Sequence, residues 1–412
     1  MCTMIRFLVW ISRYLLAITF IFSGFVKGVD PMGSAFKFGD YFMAFGLDFL
    51  MPFVIPLSFI LCAAELVIGL MLLFNVQTRL ASWGALLFMS VFTPLTLVLA
   101  IYNPVSDCGC FGDAIILTNW ETFFKNLPLL VASIFLVYQR KLFRSAMPFP
   151  YELAVTAVLI VLSFLPSFHG YRNLPLIEFR PYSIGTNIPK AMEFPEGSPM
   201  DEYKTVLYYE KDGVVKEFSQ ENFPWQDSTW VFVDSKSVLI KKGYEPPINN
   251  FVLNDLYGWD MTDSILNSSG YTMLAIAYRL DSTNEEAFSD LNELYFKAKE
   301  KRINFYCLTA STSADIDRFV SKTGVAFPFL QADEIMLKTT VRANPGLILL
   351  DEGTIIGKWH YRNFPEPDFF EGNLTAKALS QQAEHSDKMW AYLLLVALAL
   401  VKVFVRWVPQ KK

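Results

Sequence analysis

The chain has 412 residues, a formal net charge of −5, 53% hydrophobic residues and only 18% charged ones. An ordinary soluble domain carries roughly 25% charged residues. The composition excludes a disordered chain, a basic nucleic-acid-binding protein and a single soluble enzyme, and five cysteines exclude a disulfide-stapled scaffold. Residues 1–168 hold nine basic and eight acidic residues, residues 169–388 hold 22 and 32, and the last 24 hold four basic and no acidic ones. This is the pattern of a membrane part, an acidic water-facing part and a short membrane tail.

Crossing the hydrocarbon core takes about 20 mostly apolar residues in a helix. Stretches 7–25, 51–74, 80–101, 124–139 and 151–168 meet or approach that length, and a sixth runs from Met389 to Val408. Basic residues set the orientation. Arg6, Arg13, Arg79, Arg140, Lys141, Arg144, Arg406, Lys411 and Lys412 share one side if the crossings alternate. Placing that side in the cytoplasm puts both termini there, and puts loops 26–50 and 102–123 and residues 169–388 outside. Lys27, Lys37 and Lys125 run against this pattern. No A-x-A site follows the first span, so it reads as a retained helix rather than a cleaved signal. The aromatic segment Tyr41–Leu47 reads as lying in the membrane interface.

Residues 103–113 read Asn-Pro-Val-Ser-Asp-Cys-Gly-Cys-Phe-Gly-Asp, at the outer end of the third span. Cys108 and Cys110 are separated by one glycine and flanked by Asp107 and Asp113. In an oxidising compartment such a pair can close into a strained, labile disulfide, which suits thiol–disulfide exchange. Asp107 opposes thiolate formation, and no Lys, Arg or His lies in the loop. Three readings stand at this point: a redox-active pair, a metal site from Asp107, Cys108, Cys110 and Asp113, and a structural turn. The C-x-C spacing differs from the usual zinc C-x₂₋₄-C, so no metal is assigned.

Cys62 and Glu65, three apart in span two, share a helix face. An intramembrane carboxyl is a functional hypothesis by default. Glu65 reads either as a proton relay or quinone-oxygen partner beneath the cysteine loop, or as a protonated side chain making an interhelical hydrogen bond. Cys62 reads as a small buried apolar residue supporting the site, against a third redox thiol.

Residues 1–140 resemble the DoxX-like membrane proteins, more closely the branch named for the methylamine utilisation protein MauE. The resemblance rests on Phe22-Ser23-Gly24-Phe25-Val26-Lys27, on Glu65 with Gly69, on Phe92-Thr93-Pro94-Leu95-Thr96, and on Asn103-Pro104 through Cys108-Gly-Cys110-Phe-Gly-Asp113. It covers about a third of the chain, and the appended outer domain is similar to that of Bacteroidetes-type DoxX family proteins. The resemblance implies a four-helix membrane bundle and a link to periplasmic disulfide formation or maturation, with quinone as a candidate electron acceptor. Nothing in these residues points to methylamine as a substrate.

In the water-facing part, Val206–Tyr209, Val214–Phe218, Trp230–Val233 and Ser237–Lys241 read as strands, with Asp212-Gly213 a hairpin turn. From 248 onward the sequence predicts strands at Phe251–Leu253, Tyr271–Arg279 and Ile303–Thr309, and helices at Asn284–Lys301, Ser313–Thr323 (opened by a serine cap) and Glu334–Val341. A hairpin follows from Gly346–Leu350 to Ile355–Trp359. This order, with Asn344-Pro345 just before the hairpin, resembles a thioredoxin fold, whose matching proline is cis. The family's Cys-x-x-Cys is missing: its position reads Asp281-Ser282-Thr283-Asn284-Glu285-Glu286. Cys307 lies mid-strand and reads as buried and inert. The three histidines, His169, His360 and His385, are far apart in sequence and suggest no metal cluster.

The predicted fold class is thus a membrane α-helical bundle, a DoxX/MauE-like four-helix core plus two further spans, with a periplasmic α/β thioredoxin-like domain. The domain order is a bundle at 1–145, a fifth span at 146–170, a β-rich module at 171–247, the cysteine-less thioredoxin-like domain at 248–385 and a C-terminal span at 386–412. Two functions compete. One is an inner-membrane thiol–disulfide redox protein using Cys108 and Cys110, with a periplasmic client or redox partner; replacing Cys110 by Ala then traps clients on Cys108. The other is a membrane-tethered maturation scaffold that docks extended clients in the groove beside Asn344 and Pro345. Membrane lipid is the surrounding partner, and no nucleic-acid partner is expected.

Overall fold

The computed structural model describes residues 2–105, 107–143, 148–219 and 221–383. The membrane part consists of α1 (Cys2–Val29), α2 (Pro31–Ala44), a 3₁₀ turn (Asp48–Phe53) running into α3 (Val54–Phe74), α4 (Thr78–Tyr102), α5 (Asn119–Tyr138) and α6 (Phe149–Arg172). Among the described residues, five helices are long and apolar enough to cross a membrane: α1, α3 with its 3₁₀ turn, α4, α5 and α6. They match the five predicted spans, with α5 and α6 longer than the apolar runs alone suggest. The predicted sixth span and His385 lie outside the described residues.

Local chemistry sets the helix ends. Asp30 caps α2 by accepting from the Gly33 N–H, with Pro31 in the first turn. Asn75 and Asn103 close α3 and α4 in the left-handed conformation. Thr118 and Glu121 form a capping box on α5. Two glycines let α1 and α3 touch backbone to backbone. A Cβ on Gly24 would sit 2.5 Å from the Leu66 nitrogen, and one on Gly69 2.6 Å from the Ile21 nitrogen. Leu16, Phe20, Leu72, Ala85, Met89 and Leu136 fill the bundle's core. The helix order puts α2, the 103–118 loop and the chain after Arg172 at one end. Arg6, Arg13, Arg79, Arg140 and Lys141 belong to the other.

Residues Asn187–Phe251 form a compact unit of their own. It holds α7 (Ile188–Met192), β1 (Glu202–Lys211), β2 (Val214–Ser219) and β3 (Val231–Lys241), in antiparallel order β2-β1-β3. Asp212 (φ 54°) and Gly213 (φ 76°) turn the predicted hairpin with both central residues at positive φ. The two predicted strands at 230–233 and 237–241 are one, because Asp234, Ser235 and Lys236 keep pairing with β1. Residues 171–186, grouped by composition with this module, pack instead with the larger unit: Gly185 N–H donates to Ile355 O, and Ile355 N–H to Thr186 O.

In the larger unit follow α8 (Thr262–Leu266), β4 (Tyr271–Ile276), α9 (Ala287–Glu300), β5 (Asn304–Thr309), α10 (Ser313–Thr323), β6 (Phe329–Gln331), α11 (Glu334–Thr340), β7 (Gly346–Asp351) and β8 (Thr354–His360). The sheet order is β6-β5-β4-β7-β8, with β4, β5 and β6 parallel and β7 and β8 antiparallel. The Asn344–Pro345 bond is cis. This βαβ unit followed by a hairpin makes the domain thioredoxin-like. Its core holds Phe288, Phe305, Phe327, Leu347 and Trp359. Cys307 lies in that core, and burial pushes its thiol up, consistent with an inert residue.

Some details differ from the sequence reading. Residues 251–253 form no strand; nearby Asn254 makes only isolated bridges. The short β6 was not predicted, because three residues beside Pro328 carry too little pattern. Thr312, not a serine, caps α10 by accepting from the Asp315 N–H.

Candidate functional site at the cysteine loop

The loop between α4 and α5 is tied at its base and folded tightly at its tip. Asn119 Nδ2 donates to Asn103 Oδ1 and to Val105 O, both at 2.9 Å. At the tip, Asp107 Oδ1 accepts from the Gly109 N–H at 2.9 Å. Gly112 N–H donates to Gly109 O, and both glycines have positive φ (64° and 52°), where a side chain would be strained. Two other segments hold the cysteine carbonyls. Tyr41 Oη donates to Cys108 O at 2.6 Å, and Ser23 Oγ lies 2.7 Å from Cys110 O.

The two thiols are not bonded to each other in this structure; they share a hydrogen bond. Cys108 is buried and Cys110 half-buried. The Cys108 S–H donates to the Cys110 sulfur, which pulls the Cys110 thiol down to about 7 against the opposing effect of burial; Lys125 and Lys27 add to the pull. The same bond, with burial, pushes Cys108 up. Of the pair, Cys110 is therefore the more readily ionised thiol.

No cation is found in the loop sequence, yet three lysines reach it from elsewhere. Lys37 of α2 pairs with Asp107 at 2.7 Å. Lys27 of α1 pairs with Glu65 of α3 at 2.6 Å, and Ser23 Oγ lies 2.8 Å from the other Glu65 oxygen. Lys125 of α5 stands 3.9 Å above the Phe111 ring. These are the three lysines that break the sidedness of basic residues. Glu65 thus sits under Cys110, bridged by Ser23 and paired with Lys27. Cys62 Sγ lies 3.9 Å from Ser34 Oγ of α2.

Asp113 turns from the thiols toward the thioredoxin-like domain. Its Oδ2 accepts from Arg342 Nη2 at 2.8 Å, while Arg342 Nε donates to Asp30 Oδ2 at 2.8 Å and Nη1 to Lys338 O. Arg180 stands 3.9 Å from Asp113 and pairs with Glu178, which also pairs with Lys358. Burial pushes the Asp30 carboxyl up, but Arg342 and Arg180 outweigh it and hold it below the usual range. Asp107 and Asp113 therefore each face a cation rather than converging with the cysteines. Among the described residues no cluster of three His, Cys, Asp or Glu is placed to hold a metal ion.

The groove beside Pro345 is not an open edge. Pro345 is buried. The Asn344 carbonyl accepts from the Asn284 N–H, and Asn344 Nδ2 donates to Arg279 O. Phe36 of α2 packs edge-on against Tyr278 at 6.0 Å, with Lys338 4.7 Å above the Phe36 ring. The domain's proline face is thus turned toward α2 and the cysteine loop of the same chain. Of the site residues named from sequence, the structure brings together Cys108, Cys110, Asp107 and Glu65 on one side of the loop. Asp113 leads to the proline face, where Asn344 and Pro345 lie. Sequence reading missed Ser23, Lys27, Lys37, Tyr41, Lys125 and Arg342; the out-of-place lysines carried the signal for three of them.

Two cavities flank the loop. One of about 410 Å³ lies between α2, the loop and α11, lined by Phe36, Lys37, Asp40, Met43, Asp107 and Arg342 among others. The other, of about 50 Å³, lies within the bundle and is lined by Phe92, Cys110, Phe111, Lys125, Asn126 and Glu65 among others.

Fold and site together define a multi-pass membrane protein with a thioredoxin-like domain docked on its cysteine loop. Residues 5–139 match the family described as methylamine utilisation protein MauE, and residues 203–242 match a domain family of unknown function. No curated protein matches the chain. Solved structures similar to part of it include StoA from Bacillus subtilis, at 16% identity and a TM-score of 0.22, covering 26% of this chain and 84% of that one. The thioredoxin domain of a thiol-disulfide oxidoreductase from Bacteroides vulgatus matches at 16% identity and a TM-score of 0.24, covering 29% and 87%. A secreted disulfide oxidoreductase from Mycobacterium tuberculosis matches at 14% identity and a TM-score of 0.24, covering 32% and 96%.

Proposed function

We propose that this protein is an inner-membrane thiol–disulfide redox protein acting in periplasmic disulfide formation or protein maturation, with Cys108 and Cys110 as the exchanging pair. The basic residues at the opposite end of the bundle support a cytoplasmic placement for that end, and hence an outer placement for the loop. The observation that carries the reading is the pair itself: two thiols sharing one hydrogen bond, with Cys110 lowered to about 7, in a loop braced from α1, α2 and α5. In the exchange, a client thiolate attacks one sulfur of the oxidised pair. The S–S bond breaks, a mixed disulfide forms, and the released sulfur takes up a proton. The client's second thiolate then displaces that bond. The client gains a disulfide, and the pair gains two electrons and two protons; run backward, the same step reduces a client.

A lipid-soluble quinone as electron acceptor is the finer part of the proposal. Lys125, Asn126 and the aromatic walls Phe88, Phe92 and Phe111 suit a quinone's oxygens and ring. The volume does not: about 50 Å³ is a third of the roughly 150 Å³ that holds benzene. The cleft does not seat a ring as it stands. The scaffold reading has less support, since the Asn344 carbonyl is engaged and the proline face is turned toward α2.

Single-cysteine variants of the full chain in native membranes test the redox reading. Cys110 is the more exposed residue of the two and the more readily ionised, so Cys108→Ala, rather than Cys110→Ala as the sequence suggests, should accumulate more reductant-sensitive adducts. No adduct in either variant would move the assignment to the scaffold.

A further inference from the structure

We infer that Lys125 is a positioning residue for Cys110, making Cys110 the attacking thiol and Cys108 the resolving one; this rests on the redox reading above. Lys125 lies on α5, one of the spanning helices, where an ammonium is costly unless it is partnered or functional. Among the described residues it forms no ion pair; its ammonium lies 3.9 Å from the centre of the Phe111 ring, whose residue directly follows Cys110. Both side chains line the small cleft with Cys110. Ring and span hold the ammonium at the cleft that Cys110 also lines.

The other charges around the pair are matched. Lys27 is balanced by Glu65, Asp107 by Lys37, and Asp113 by Arg342. Tyr41 donates its hydroxyl proton to Cys108 O and carries no charge. The remaining titratable neighbour is the Cys108 thiol, which donates to Cys110. Among the described groups around the pair, Lys125 is thus the unmatched positive charge, and its field favours the Cys110 thiolate over the thiol. Cys108, 6% exposed, is placed to close on Cys110 after attack, not to meet a client first.

The pH dependence of iodoacetamide alkylation at Cys110, read by mass spectrometry on the purified full chain in detergent, tests this. Wild type should show half-maximal rate near pH 7, with Cys110 modified before Cys108. Lys125→Met should shift that midpoint up by about one unit, making alkylation near pH 7 several-fold to about tenfold slower, and Lys125→Arg should keep it low. Removing an unpaired charge from a span should not prevent folding. Phe111→Leu is a second probe that keeps the charge but loosens its seat, and should give a smaller upward shift. An unchanged midpoint in Lys125→Met, or faster modification of Cys108 in wild type, would overturn the proposal. The readout needs no client, so it stands or falls separately from the exchange reaction.

Discussion

Arg342 Nη2 donates to Asp113 Oδ2 at 2.8 Å across 229 positions of sequence, joining the residue three before the cis proline to the loop that carries both thiols. The same guanidinium holds Asp30 at the α1–α2 joint. One buried cation therefore fixes a degenerate thioredoxin-like face against the membrane cysteines. Replacing Arg342 by Met removes the hydrogen-bonded cation of both carboxylates and leaves them the more distant Arg180, and breaking a buried pair costs on the order of 3–5 kcal/mol. Asp113 is partly exposed, so the loss should fall at the low end. Hydrogen exchange on the full chain should show faster exchange in 103–118, α2 and α11 together. Unchanged exchange in the loop would mean that the domain does not brace it.

The Lys27–Glu65 pair lies buried between α1 and α3. Lys27→Met should destabilise the protein more than the double variant Lys27→Met with Glu65→Gln, because the single change strands a charge. Thermal unfolding in detergent measures the difference. Equal losses in both would show that the pair is not coupled. Glu65→Gln alone strands Lys27 in the same way, so a proton-relay role for the carboxylate is read in the double variant, which should impair exchange while keeping more protein than either single change.

The acidity of Cys110 depends first on the Cys108 S–H. Cys108→Ala removes that donor, so the Cys110 midpoint should rise from about 7 toward the ordinary thiol value of about 8.5. The alkylation rate of Cys110 against pH reads this directly; a midpoint that stays near 7 would assign the acidity to the lysines alone.

His360 is buried, and burial, with Arg362 nearby, lowers its imidazole from 6.5 to about 4. Its Nδ1 accepts from the Arg362 N–H, as a neutral ring can. The unfolded chain binds the proton first, so this group's contribution is full above about pH 6.5 and is lost as pH falls toward 4. The loss is at most about 3 kcal/mol. The thermal midpoint of the full chain should fall between pH 7 and 5, and fall less in His360→Asn, which keeps a side-chain acceptor.

Gly24 and Gly69 sit where α1 meets α3, and a Cβ at either would lie within 2.6 Å of backbone nitrogen. Neither helix can yield without separating. Gly24→Val should abolish stable accumulation in the membrane, whereas Gly39→Ala, where an added Cβ meets the Met51 side chain at an ordinary 3.7 Å, should have little effect on abundance. Equal abundance of the two variants, checked by quantitative blotting of membranes, would contradict the close α1–α3 packing.

Much of the architecture was legible because the membrane and the thioredoxin-like sheet both impose strong periodic patterns. Five apolar runs could only be spans, and the strand–helix order before Pro345 left few topologies. The site was legible in its thiols, whose C-G-C spacing stands out, and in Glu65, whose charge is costly in a span. It was illegible in its partners. Lys27, Lys37 and Lys125 looked like noise in a charge count, since their meaning depends on where α1, α2 and α5 converge. Arg342 gave no local sign at all: its partners Asp30 and Asp113 lie 312 and 229 positions away. Residues 171–186 were assigned by composition to a neighbouring module, because pairing with the edge of β8 leaves no mark in sequence.

The central claim is that Cys108 and Cys110 cycle between dithiol and disulfide. Acid-quenching intact cells, alkylating free thiols and reading the pair by mass spectrometry tests it most directly. The account predicts a mixture of both states that shifts when respiration is blocked. Two permanently free thiols, or a disulfide that never turns over, would contradict it.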